Sequence, residues 1–171
     1  MANLNPQVIG TKMPHGFAGS YARQPDMIVN TRPAGGAAPI PFGAPLVYAD
    51  GAVVQMGAEA AADKFVGVAG REFKSSLEYL DQSAGQYAPG EAVSVFQRGS
   101  IQVKCSRGAP ALGGAVYVRT KANDSFSTAP VGGFEAEADS GNTVQLPNCQ
   151  WGGPADANGV AELVILTRLN A

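Results

Sequence analysis

The sequence predicts an all-β protein. The expected form is a compact antiparallel β-barrel or sandwich, β-tulip or jelly-roll-like, with an extended N-terminal arm and at most one short helix. Three observations carry this. From residue 39 onward, roughly six to eight short runs alternate apolar and polar residues between turn signals. The chain holds 22 Gly and 12 Pro in 171 residues, too many for long uninterrupted helices. Residues 1–38 carry apolar side chains but no sustained period. The organisation is therefore an arm over 1–38 and a β domain over 39–171.

In the arm, Pro6, Pro14, Pro25 and Pro33 block any long helix and remove ladder donors. Met13, Phe17, Tyr21, Met27 and Ile28 nevertheless need something to bury against, either their own domain or a neighbouring subunit. Ile40-Pro41-Phe42-Gly43-Ala44-Pro45 is a rigid approach to the first strand. Asp50-Gly51 separates Leu46–Ala49 from Ala52–Met56, and this dipeptide suits a type I′ hairpin, which needs positive φ at both central positions. Residues 57–62 read as a loop or one helical turn. Lys64–Ala69 is a short strand in which Gly67 marks a bulge or a close approach. Phe73, Leu77 and Leu80 fall at helical spacing, so residues 71–82 form a short helix or an irregular loop. Val93/Val95 and Ile101/Val103/Cys105 each line one face, which fits a tight hairpin or one long bulged strand. Ala115–Thr120 is another strand, residues 121–158 are polar and turn-rich, and Val160–Leu169 reads as a strand buried on both faces.

Composition restricts function. The apolar fraction is 45%, but 28 alanines sit inside it, so there is enough for one core. Charged residues are 15%, against an average of about 25%. Net charge is −2 with no basic cluster, which argues against a nucleic-acid partner. So little charge suits a chain whose surface is finished by neighbours. No signal peptide is expected, because the N-terminus lacks a basic region and an apolar stretch. No membrane partner is expected either: the densest apolar run, Leu163–Leu166, is far short of the ~20 residues of a spanning helix.

Catalytic groups are sparse. His15 is the only histidine, and no metal-ligand spacing, phosphate loop or nucleophile elbow occurs. No enzyme activity, cofactor or metal is expected. The acidic pairs Glu135/Glu137 and Glu59/Asp63 read as solvated faces. Cys105 and Cys149 read as reduced core cysteines, with a disulfide as the alternative. Trp151 with Tyr48, Tyr87 and Tyr117 leaves open a carbohydrate-binding β-domain.

The same segments carry a family resemblance. Ile40–Val47, Asp63–Ala69, Tyr87–Val95, Arg98–Val103 and Gly113–Val118, in this order, resemble the structural cement, or capsid decoration, proteins of tailed-bacteriophage heads. The likeness spans roughly residues 14–120 and is a pattern of Gly, Pro and apolar positions. The chain is also similar to the small head-decoration proteins of lambdoid phages, with a β-rich body and a flexible N-terminal arm. The resemblance implies a non-enzymatic virion protein, made in the host cytoplasm, on the outer surface of the head. Its implied partners are the major capsid protein and further copies of itself, as a dimer or trimer. A head-fibre or tail component is the alternative within the virion. The residues expected to contact capsid or sister subunits are Met13, Phe17, Tyr21, Arg23 and Ile28 in the arm, with Ile40 and Phe42 beyond it. Deleting residues 1–30 is expected to leave the barrel folded.

Overall fold

The computed structural model describes residues 14–24, 26–58, 60–71 and 85–169. Their strands are β1 (Ile28–Pro33), β2 (Ile40–Pro41), β3 (Pro45–Ala49), β4 (Ala52–Gln55), β5 (Phe65–Ala69) and β6 (Gln86–Tyr87). They continue as β7 (Ala92–Arg107), β8 (Ala115–Arg119), β9 (Phe134–Glu135), β10 (Thr143–Trp151) and β11 (Val160–Ile165). The only helical pieces among the described residues are single 3₁₀ turns at Ala62–Lys64 and Asp124–Phe126. The helix weighed over 71–82 lies almost wholly outside the described residues.

One strand organises the rest. β7 is a single bulged strand of 16 residues, not a hairpin. Its first half pairs antiparallel with β1 and β5, its second half with β11, and its end runs parallel to β9. The second half closes a five-stranded barrel in the order β7-β11-β10-β8-β9 and back to β7. The first half belongs to a smaller ring, β1-β7-β5-β3-β4, completed by one parallel bridge between Ala34 and Val53.

The two rings enclose separate apolar cores. The larger holds Phe65, Val68, Phe96, Ile101, Val103, Phe134, Trp151 and Leu163. The smaller holds Ile40, Leu46, Val53, Val66, Tyr87, Val93 and Val95. β7 must therefore face one core before residue 96 and the other after it. In a regular strand Val93, Val95, Ile101 and Val103 would share a face. The bulge changes that. Ile28 pairs with Arg98 and Val29 with Phe96, leaving Gln97 unopposed. This inserted amide is fully buried, accepts from Asn30 Nδ2 at 2.6 Å and donates to the Tyr48 hydroxyl at 3.4 Å.

Local chemistry accounts for the other elements. Asp50 (φ 47°) and Gly51 (φ 79°) turn β3 into β4, the hairpin the dipeptide predicts. Gly67 is both a bulge neighbour and a close approach, because an added Cβ would sit 2.4 Å from the Phe96 carbonyl oxygen. β10 lies in the stretch read as polar and turn-rich. Gln145 pairs with Tyr117 and Gln150 with Ala115, so four intervening residues, including Pro147, form a wide irregularity. Proline is tolerated there because a bulge asks for no ladder donor.

The short strand β9 is what closes the larger barrel between β7 and β8. Phe134 fills the core, and Glu135 ties both neighbouring strands by charge. Its carboxylate accepts from Arg119 Nε at 2.5 Å and Nη2 at 3.1 Å, and from Arg107 Nη1 at 3.2 Å. The side chains of Arg119 and Glu135 are 0% exposed. Glu135 is thus no solvated face. Its cationic partners lie on other strands, where sequence spacing does not reveal them. Asp139 accepts from Arg119 Nη1 at 2.8 Å, Asn123 at 2.9 Å and Asn142 at 3.2 Å. Phe126 lies 4.1 Å below the Arg107 guanidinium.

Substitution at Gly67 forces a Cβ onto backbone, so Gly67→Ala is predicted to cost about 2–4 kcal/mol in denaturant unfolding. Gly51→Ala, with open space around it, is predicted to cost only about 1 kcal/mol. Glu135→Ala leaves the buried Arg119 with Asp139 as its remaining carboxylate partner and Arg107 with Glu137, and is predicted to cost about 3–5 kcal/mol. The hydrogen bond from Asn123 holds Asp139 below the usual carboxylate range, aided by Asn142 and Arg119 and opposed by burial. A depressed folded pKa gives stability that is present above the unfolded value, near 3.9, and lost as pH falls through the folded one. The melting temperature should therefore drop on acidification below about pH 4, and Asp139→Asn should make that drop shallower.

Candidate interaction surface

The arm residues before β1 run along β7 as a short added strand. Gly19 N donates to the Gln102 carbonyl at 2.7 Å, Gln102 N to Ser20 at 2.8 Å, and Ala22 N to Ser100 at 2.9 Å. Tyr21 bridges to Ile101 and stacks on Phe96 at 5.4 Å. Gly19 is required by proximity: a Cβ there would lie 2.9 Å from backbone atoms of Ala69, Arg71 and Gly43.

Two polar contacts fix the ends. His15 N donates to Asp156 Oδ2 at 2.9 Å, and His15 Nε2 lies 3.2 Å from the Pro154 carbonyl, which accepts from it. Arg23 grips Glu162 through Nε at 2.6 Å and Nη2 at 3.1 Å. The hydrogen bond from Arg23 holds the Glu162 carboxyl below its ordinary range. Backbone donors from Val160, His15 and Asn158 do the same for Asp156.

The expected contact residues are distributed unevenly. Phe17 is 67% exposed, with the Arg71 guanidinium 4.2 Å from its ring centroid. Tyr21 and Arg23 are exposed, and Ile28 is half-buried in β1. Ile40 is only 1% exposed because β2 pairs with β6 and turns it into the smaller core. Phe42 is half-buried and packs edge-on against Tyr87 at 5.0 Å. Met13 lies outside the described residues. Outside that set, the most exposed large apolar side chain among the described residues is Leu112, at 82%. Its loop is fixed by Gly113 N donating to Trp151 O and Gly114 N to Ala111 O, both at 2.8 Å. No charged residue occurs from Gly108 to Val118, and that run was the available signal.

The aromatic set raised for carbohydrate binding does not form a platform. Trp151 and Tyr87 are buried, and the Tyr87 hydroxyl donates to the Gly70 carbonyl at 2.5 Å. Both cysteines are free thiols, and burial pushes each pKa up. Among the described residues no group of His, Cys, Asp and Glu could hold a metal ion, and no helix is long and apolar enough to cross a membrane.

The position of β1 moves the boundary at which the arm can be cut. Met27 and Val29 pack on the larger core, and β1 pairs with β7 along its length. Removal of residues 1–24 is predicted to leave a cooperatively melting body. Removal through residue 33 should abolish the thermal transition, and circular dichroism distinguishes the two. A cut at residue 30 falls inside β1 and is predicted to destabilise the body, contrary to the expectation from sequence.

Comparison with known proteins is consistent with this architecture. No curated protein matches the chain. Among solved structures, one described as the capsid of Myoviridae phage XM1 aligns with a TM-score of 0.70 at 17% identity, covering 99% of this chain and 100% of that one. That likeness is one of fold. The head fibre gp8.5 N base of bacteriophage phi29 aligns at a TM-score of 0.42 and 15% identity, over 85% of this chain and 99% of that one. A family model described as structural cement protein (E217 gp24/Pam3 gp6) matches residues 5–166. The chain therefore belongs to the phage structural cement protein family, a family of virion structural proteins and not an enzyme class.

Proposed function

We propose that this protein binds the outer surface of the phage head and ties neighbouring major capsid subunits together. The observation that carries the reading is that a cement-family body holds large apolar side chains outward on fixed backbone. Phe17 and Leu112 are 67% and 82% exposed, and both lie on segments anchored by backbone hydrogen bonds. An ordered anchor loses little conformational freedom on binding, so more of its buried area appears as affinity. A capsid lattice repeats the junction many times, and several weak contacts on linked copies multiply into firm attachment. The low charge of the chain fits a surface that ends in interfaces.

Within this reading the arm residues Phe17, Tyr21 and Arg23 contribute capsid or intersubunit contacts, with Met13 on the segment before them. Ile28, Ile40 and Phe42 act by holding the arm and its approach in place. Copies of the protein associate as a dimer or trimer on the lattice.

The test uses purified heads that lack this protein. Adding it should give saturable binding and raise the temperature at which heads rupture. Phe17→Ala and Leu112→Asp, which alter exposed side chains, should each weaken binding about tenfold or more while the free protein melts as before. Wild-type protein that leaves heads unbound and unstabilised contradicts the reading.

A further inference from the structure

We propose that the arm segment 14–23 is an exchangeable strand, and that its docking track on β7 and β11 accepts the same segment from a second copy of this chain. The inference deepens the self-association in the reading above, but it rests on the track itself.

Three features support exchange. First, the arm is separable: no residue of 14–24 belongs to either apolar core, and the core contacts begin at Met27. Second, the wall it lies beside is polar. Ser100, Gln102 and Glu162 alternate with the inward Ile101, Val103 and Leu163, so arm release bares chiefly polar side chains of β7 and β11, with the Phe96 ring under Tyr21 the apolar exception. These polar residues are only 8%, 7% and 7% exposed with the arm in place, and Gln102 Oε1 lacks a hydrogen-bond partner. Third, the attachment is strand addition. Backbone hydrogen bonds give the affinity, and they serve equally from within the chain or from another.

The occupant is specified by the fit. The track demands a residue without Cβ at the Gly19 position, an aromatic ring over Phe96 two residues later, and a cation two further on for Glu162. Gly19-Ser20-Tyr21-Ala22-Arg23 meets these demands, and every copy of the chain carries it. The joint is short. Residues 24–27 connect the docked strand to β1, and the Asp26 carboxylate meets Arg98 at 3.1 Å in an exposed contact. Swapping an identical element between protomers costs little beyond opening such a joint.

The experiment uses the full chain with Cys105→Ser as background, leaving Cys149 buried. One chain carries Ser20→Cys and another carries Gln102→Cys, the positions joined by the Gln102 N to Ser20 O bond. The two are mixed and oxidised, then separated without reductant. Exchange predicts a heterodimeric disulfide band at twice the chain mass. A control mixture of Ser20→Cys with Ala111→Cys, remote from the track, should give at least tenfold less. The chain carrying both Ser20→Cys and Gln102→Cys reports whether the arm docks at all. Internal closure of that double variant with no heterodimer in the mixture overturns exchange. So does equal cross-linking in the Ala111→Cys control, and so does failure of both disulfides to form. None of these outcomes depends on heads, so failure here is distinct from failure of capsid binding.

Discussion

The fold depends on one strand serving two cores. β7 is long enough to supply a wall to each ring, and the inserted Gln97 turns its apolar face from one to the other. Without that insertion, Phe96 and Ile101 would point to opposite sides. The buried amide is satisfied by Asn30 on β1 and Tyr48 on β3, so the bulge is fastened to both neighbours in the smaller ring. Gly67 lets β5 come close enough to the same strand to pack. The joint between the rings is therefore hydrogen-bonded sheet and not a linker. A body of this kind can transmit force from one contact to another without bending at a hinge.

Charge is used sparingly, and part of it is buried where it ties strands together. Glu135 joins the arginines of β7 and β8 where β9 offers only two residues of ladder. A buried ion pair of this kind fixes geometry more than it adds net stability. The arm, in contrast, is held by backbone hydrogen bonds, one aromatic stack and the Arg23–Glu162 pair at the surface. Arg23 is largely exposed, so the pair is weakened by solvent and salt although Glu162 is nearly covered. The body is thus closed by strand pairing and buried charge, while the arm is pinned by strand addition and contacts at the surface.

Much of the architecture was legible in sequence where the cause is local. Asp50-Gly51 dictates its own turn, alternation marks β3, β4 and β8, and the run read as a strand buried on both faces over 160–169 is one as far as Ile165, beyond which Leu166 and Leu169 are exposed. Elements whose cause is distant were not legible. β10 is masked by Pro147, which is tolerated only because the register with β8 breaks there. Glu135 looks like a surface residue until Arg107 and Arg119, 28 and 16 positions away, are brought beside it. β1 lies within the span read as arm, because its Pro33 and the prolines before it hide a strand whose partner is about sixty to seventy residues on. Of the residues expected to make contacts, Phe17, Tyr21 and Arg23 are exposed, whereas Ile40 turns inward through its pairing with β6. Leu112 carries no periodic signal, and only the absence of charge around it marks the loop.

The claim that β7 makes the two rings one body is tested most directly by native-state hydrogen exchange, read residue by residue. Amides of β3 and β4 in the smaller ring and of β10 and β11 in the larger should share one opening free energy, equal to that of global unfolding. A smaller ring that opens at distinctly lower free energy, while the larger stays protected, would contradict the account.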